Sequence, residues 1–148
     1  MFSKILYPTD FSDLAHKALV YVKRLREAGT REVVVVHIID SREVNTMARA
    51  MALYGSKVQH DADQRIKEKI AQDMDAIAED LKKSGLAVKT RVKTGIPFTE
   101  IVNMAEEENV SGIVLGSHGM SNVKEMLLGS VSEKVIRNAK VPVLVIKR

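Results

Sequence analysis

The chain contains no cysteine and no tryptophan, and aromatic residues make up only 4% of it. The missing cysteines exclude disulfides and thiolate metal sites, and they fit a reducing cytoplasm, the expected location. So few aromatics leave little to stack nucleic-acid bases or to sandwich a flavin. No apolar run approaches the ~18 residues of a membrane span. The opening "MFSKILYPTD" lacks the basic and then long apolar regions of a signal peptide. No Gly-x4-Gly-Lys-Ser/Thr occurs, which excludes a P-loop NTPase, and no Gly-x-Gly-x-x-Gly follows the first apolar run, which disfavours a dinucleotide fold. No two histidines stand at zinc-ligand spacing, so no metal site is expected from protein ligands.

What remains is an ordinary soluble mixture. The 148 residues suit a single domain, 1–148, with its own core. Hydrophobic residues are 45% and charged residues 28%. The net charge of +4 is spread along the chain rather than gathered into a stripe. It reads as a solvated basic surface, so neither nucleic acid nor membrane is expected as a partner.

Apolar runs alternate with helical patterns. "KILY" (Lys4 to Tyr7) reads as a buried strand. Ser12 is placed to cap a helix bearing Ala15, Ala18, Leu19, Val22 and Leu25 on one face, ended by Gly29. "EVVVVHII" (Glu32 to Ile39) is continuous and β-branched, as a strand covered on both faces should be. Ile66, Ile70, Met74, Ile77 and Leu81 form one helical stripe closed by Gly85. Leu86 to Thr94 alternates as a strand with a wetter face. Pro97 suits the first turn of a helix carrying Phe98, Ile101, Val102 and Ala105, with "EEE" (Glu106 to Glu108) a solvated face at its end. Gly112 to Gly116 is a buried strand, Ser130 to Ala139 a helix and Val141 to Lys147 a last strand. Residues 41–60 resist assignment. They hold Met47, Met51 and Tyr54 and could be partly helical, as a lid or as a packed excursion. The order β-α-β-α-β-α-β-α-β implies a parallel sheet with helices on both faces.

In such sheets ligands bind beyond the C-terminal strand ends, where the strand order reverses. Orders 2-1-3-4-5 and 3-2-1-4-5 are both compatible with the alternation. In the second, the reversal lies between strands one and four. Strand one is followed by "PTDFS" and strand four by "GSHG", both short, polar and rich in turn residues. Gly116 and Gly119 allow sharp turns and close approach of a ligand. Ser130-Val131-Ser132-Glu133 fits a capping box, and a helix start of this kind suits a phosphate. Together these make a candidate anion cradle, to which Ser117, Ser121, Ser130, Ser132 and Lys124 could add donors.

These residues resemble the universal stress protein family. Its ATP-binding signature, Gly-x2-Gly-x9-Gly-Ser/Thr, matches Gly116, Gly119, Gly129 and Ser130. "KILYPTDFS", "VVHIID" and "VPVLVIKR" are similar to its first, second and last strands, so the resemblance spans the chain. It is closest to the short, ATP-binding members. It implies an α/β fold of the adenine-nucleotide α-hydrolase-like kind, a three-layer open parallel five-stranded sheet of order 3-2-1-4-5. It also implies ATP as ligand, with magnesium or manganese carried on the phosphates. Carried over position by position, Pro8, Thr9 and Asp10 form the turn beside the nucleoside. The backbone at Ile38 reads the adenine edge. Gly116, Ser117, His118, Gly119, Met120, Ser121 and Asn122 wrap the ribose and phosphates. Gly129, Ser130, Val131 and Ser132 hold the phosphate tail. Strands three and five are then the edges. Lys89, Arg91 and Lys93 guard the first, and the apolar Val141 to Ile146 of the second suggests a homodimer.

His118 is the most tempting catalytic residue, but no carboxylate orienter is evident, and a structural or ligand-contact role comes first. His37 reads as a satisfied core histidine. The expected function is an ATP-binding regulator of stress response, with at most slow hydrolysis and an unknown downstream protein partner. The alternatives are a weak ATPase or nucleotidyl-transfer enzyme using His118 or Asp10, and a dimeric scaffold with no nucleotide requirement.

Overall fold

The computed structural model describes residues 2–119 and 128–147. Five strands form one parallel sheet: β1 (Lys4–Pro8), β2 (Glu32–Asp40), β3 (Ala87–Gly95), β4 (Gly112–Gly116) and β5 (Val143–Ile146). Their order is β3-β2-β1-β4-β5. Of the two orders left open by alternation, the chain adopts the one that reverses between β1 and β4. Among the described residues, five α-helices accompany them: α1 (Asp13–Arg24), α2 (Ser41–Met51), α3 (Ser56–Lys83), α4 (Pro97–Glu107) and α5 (Ser130–Asn138).

Alternate strand residues point to opposite faces, and this builds two cores. Ile5, Tyr7, Val33 and Val35 pack with Ala18, Leu19 and Val22 of α1 and Met74, Ile77 and Leu81 of α3. Leu6, Val34, Val36 and Leu115 pack with Ile101 and Met104 of α4 and Val135 of α5. The run Val33 to Val36 is wholly buried, which is why it carries no polar alternation. Local signals hold at three helix ends, whereas α1 stops at Arg24 with Leu25 as its C-cap and not at the Gly29 expected to end it. The Ser12 hydroxyl accepts the Ala15 N–H at 3.2 Å and starts α1. Pro97 opens α4. Gly85 follows α3 with φ +81°.

One unassigned segment is settled and three further expectations are corrected. Residues 41–60 are almost wholly helical, comprising α2, a 3-10 turn (Ala52–Tyr54) and the start of α3. The Asp40 carboxylate accepts the Arg42 N–H at 2.9 Å and caps α2, yet α2 buries no residue. The excursion therefore adds nothing to the core. The α3 stripe reaches the sheet only in its second half, and Ile66 stays exposed.

The cations of β3 do more than guard an edge, and Glu108 is not solvated. Lys89, Lys4 and Arg91 approach its carboxylate at 2.6, 3.2 and 3.2 Å, and its side chain is only 8% exposed. An acid at the end of α4 thus gathers cations from two strands. Its carboxyl is held below its ordinary range by the hydrogen bond from Lys89, aided by Lys4, against the opposing effect of burial. Finally, β5 begins two residues later than expected, after Pro142, which has no N–H to give the ladder. The Pro142 carbonyl still accepts from Ile113 N–H at 2.9 Å.

Candidate functional site

β1 and β4 end side by side, so the segments that follow them share one crevice. On the β1 side, the Thr9 N–H donates to the Val36 carbonyl at 2.9 Å, the last rung of the β1–β2 pairing. Beyond it the turn is held by side chains. The Thr9 carbonyl accepts from His37 Nδ1 at 2.8 Å. A carbonyl can only accept, so the proton sits on Nδ1. The Phe11 N–H donates to Thr9 Oγ1 at 3.1 Å, and the Ser12 N–H to Asp10 Oδ1 at 3.1 Å. Phe11 adopts φ +63°, costly for a bulky side chain, and its ring stacks on His37 at 4.6 Å. Beneath the turn, buried Tyr7 donates to the Ala15 carbonyl at 2.6 Å, and burial pushes its phenol up to about 12.

On the β4 side, the glycines stand where neighbours approach closely. A Cβ on Gly119 would lie 2.6 Å from Asp10 Oδ2, so the glycine loop and the β1 turn are in contact. A Cβ on Gly129 would lie 3.2 Å from the Ser117 carbonyl oxygen and 3.3 Å from His118 Cα. The start of α5 is tied to the same loop. The Gly129 N–H and the Ser132 hydroxyl both donate to the Ser117 carbonyl, each at 2.6 Å. Ser117 Oγ also meets His118 Nδ1 at 2.9 Å.

The capping box expected from Ser130 does not form. Gly129 is the cap residue, with φ −75° and ψ 160°, and no side chain caps the helix. Ser130 is the first helical residue, and Glu133 pairs instead with Arg137 at 2.9 Å. Ser132 is buried and its hydroxyl donates to the loop, so the hydroxyl is a tie and not the free ligand donor expected, while the Ser132 amide is a separate group. The first intrahelical bond runs from Glu133 N–H to the Gly129 carbonyl at 3.0 Å. The amides of Ser130, Val131 and Ser132 therefore stand outside the helical ladder, at the positive end of the helix dipole.

Ile38 lies near the end of β2, its side chain packed on the α4 side. A strand residue turns its N–H and C=O to one side, and residues two apart share that side. The Val36 carbonyl faces β1, so the backbone groups of Ile38 do too, at a level where the β1–β2 pairing has ended. The structure thus sets Pro8, Thr9, Asp10, Ile38, Gly116, Ser117, His118, Gly119 and Gly129 to Ser132 at the C-terminal edge of the sheet around the switch point. Met120, Ser121, Asn122 and Lys124 lie outside the described residues. Sequence reasoning passed over the part played by His37 and Phe11. The adjacency of His37 to Ile38 was visible, but nothing in the periodicity shows a strand histidine reaching a neighbouring turn.

The fold is that of an open, doubly wound α/β protein whose strand order reverses between β1 and β4, the position at which such sheets offer a ligand crevice. Residues 1–147 match the model of the universal stress protein family, and the chain belongs to that family. It is 42% identical to the universal stress protein MJ0577 of Methanocaldococcus jannaschii, over all of this chain and 96% of that protein. The solved structure of MJ0577 superposes with a TM-score of 0.88 at 41% identity, covering 100% of this chain and 97% of that one. The universal stress protein YxiE of Bacillus subtilis is 33% identical over 99% of this chain and its own whole length.

Proposed function

We propose that this chain binds ATP in the β1–β4 crevice and acts as a nucleotide-dependent regulator in stress response. One observation carries the reading: the β1 turn, the glycine loop and the start of α5 abut one another through Asp10–Gly119 and Ser117–Gly129. That junction presents the groups an adenine nucleotide needs. The Ile38 N–H and C=O offer a donor–acceptor pair of the kind an adenine edge matches. The Asp10 carboxylate stands where a ribose hydroxyl would donate. The amides of Ser130 to Ser132 and the helix dipole suit the phosphates. Magnesium or manganese would be carried on the phosphates rather than by a protein cage.

Adenine nucleotides occur in more distant members of the fold. One universal stress protein, 20% identical with a TM-score of 0.68, is a complex with cAMP. Another, from Archaeoglobus fulgidus, 24% identical with a TM-score of 0.64, is a complex with dAMP. Hydrolysis, if it occurs, is expected to be slow. The sheet edge at β5, with Leu144 exposed in mid-strand, serves as a homodimer seam, and nucleotide binding biases a surface read by a protein partner.

Equilibrium dialysis of the purified protein against ATP with magnesium tests the reading. Saturable binding at one site per chain is expected. A protein that takes up neither ATP nor adenosine refutes it and leaves the nucleotide-independent scaffold. Turnover that disappears in His118→Ala would turn the assignment toward an enzyme.

A further inference from the structure

We propose that His37 is a positioning residue of the nucleotide site, which takes over a rung of the sheet so that the Ile38 backbone is free for a ligand. The proposal rests on the reading of the crevice as an adenine-nucleotide site.

Pro8 is in register with Val36, and the Thr9 N–H donates to the Val36 carbonyl. A ladder continued by one rung has fixed partners. The Ile38 N–H would donate to the Thr9 carbonyl, and the Phe11 N–H would donate to the Ile38 carbonyl. Both partners are held elsewhere. The Thr9 carbonyl accepts from His37 Nδ1–H at 2.8 Å, and the Phe11 N–H donates to Thr9 Oγ1 at 3.1 Å. Two side chains have replaced two backbone bonds. The turn peels away from β2, and the donor and acceptor of Ile38 are left facing the crevice.

The same histidine stabilises the conformation this requires. Its ring lies against that of Phe11, 4.6 Å between centroids and 28° between planes. The contact offsets the cost of Phe11 at φ +63°. Phe11 in that conformation sends the chain on to Ser12, whose N–H fixes the Asp10 carboxylate. That carboxylate is the group in contact with Gly119. His37 thus acts on the site through Thr9, Phe11 and Asp10, without touching the ligand.

The test compares His37→Leu, which removes donor and ring, His37→Phe, which keeps the ring, and His37→Asn, whose amide can restore the Nδ1 donor. Two measurements are made: hydrogen exchange of the Ile38 amide without ligand, and the ATP dissociation constant with magnesium. In His37→Leu the Thr9 carbonyl is released and recaptures the Ile38 N–H. Exchange at Ile38 should therefore slow about tenfold or more, the opposite of a general loosening. ATP binding should weaken about tenfold, the equivalent of one lost hydrogen bond. His37→Phe should behave like His37→Leu and serves if the latter fails to fold. His37→Asn should recover ATP affinity to within about threefold of the wild type. Unchanged or faster exchange at Ile38 in both donorless variants overturns the proposal, whatever the affinity. Slowed exchange in a protein whose wild type binds no ATP upholds the positioning role and refutes the nucleotide reading alone.

Discussion

Placing an aspartate at Gly129 separates the two things this position does, and they respond in opposite ways. Gly129 has the extended backbone of a helix cap, φ −75° and ψ 160°, which any residue adopts. Asp is a favoured cap residue, worth a few tenths of a kcal/mol over glycine, and its charge suits the helix dipole. Against this, its Cβ would meet the Ser117 carbonyl oxygen at 3.2 Å and His118 Cα at 3.3 Å. Both are backbone atoms and must yield by a few tenths of an ångström, at a cost of about 1 kcal/mol. Stability should therefore change by no more than about 1 kcal/mol, a few degrees in Tm. Binding is another matter. A carboxylate about 5 Å from a phosphate charge repels it by about 0.8 kcal/mol in water-like surroundings and about 3 kcal/mol at an effective dielectric of 20. With several phosphate charges nearby, ATP affinity should fall at least about 100-fold. Adenosine, which has no phosphate, should lose less than about threefold. Calorimetric titration of Gly129→Asp with ATP and with adenosine, beside a thermal melt, reads all three. If ATP and adenosine weaken equally in a folded variant, the phosphates do not lie at the start of α5 and the cradle is wrongly placed.

Glu108→Gln should cost about 2 kcal/mol at pH 7 by denaturant unfolding, since it weakens hydrogen bonds to three cations that are themselves partly solvated. Because the folded carboxyl is held below its unfolded value, that difference should be full above the ordinary carboxylate range and be lost as pH falls through the lowered folded pKa; a constant difference down to pH 2 would refute the account. Tyr7 shows the reverse sign. Its phenol is raised to about 12 in the fold, so stability should decline from pH 10, where the unfolded chain ionises, to pH 12. Tyr7→Phe should remove that part of the decline, read as unfolding midpoints across the range, at a cost of about 1 kcal/mol at neutral pH. Leu144→Lys, on the exposed β5 edge, should yield a folded monomer by sedimentation velocity, and an unaltered dimer would place the seam elsewhere.

Much of this molecule is readable from one-dimensional pattern, because the pattern reports burial. The run Val33 to Val36 has to be a strand covered on both faces, and Met74, Ile77 and Leu81 have to share a helix face, whatever the rest of the chain does. Ser12, Pro97 and Gly85 mark helix ends by local chemistry, and the structure bears out all three. The glycine spacing of Gly116, Gly119 and Gly129 is likewise visible. Pattern fails where a residue's partner lies far along the chain. Glu108 looked like one of three solvated acids because Lys4 and Lys89 are 104 and 19 residues away. Ser130 looked like a cap because the box motif was satisfied on paper. In space the Ser117 carbonyl, 15 residues back, draws in the Ser132 hydroxyl and also binds the Gly129 N–H, and Gly129 rather than Ser130 is the cap.

The β1 turn shows why site residues are harder to read than core residues. A core position is specified by its own type, and a change to another apolar residue of similar size is tolerated. The turn is specified by a substitution of partners. The Thr9 hydroxyl stands in for the Ile38 carbonyl, and the His37 ring stands in for the Ile38 N–H. Neither side chain touches the crevice through a feature that a motif could encode. Both matter only because the register Pro8↔Val36 makes residue 38 the next rung. An open donor–acceptor pair on a central strand is unstable unless something else satisfies the groups it gave up. Here two side chains do so in advance, and the strand can keep its backbone edge ready for a ligand without unravelling the sheet.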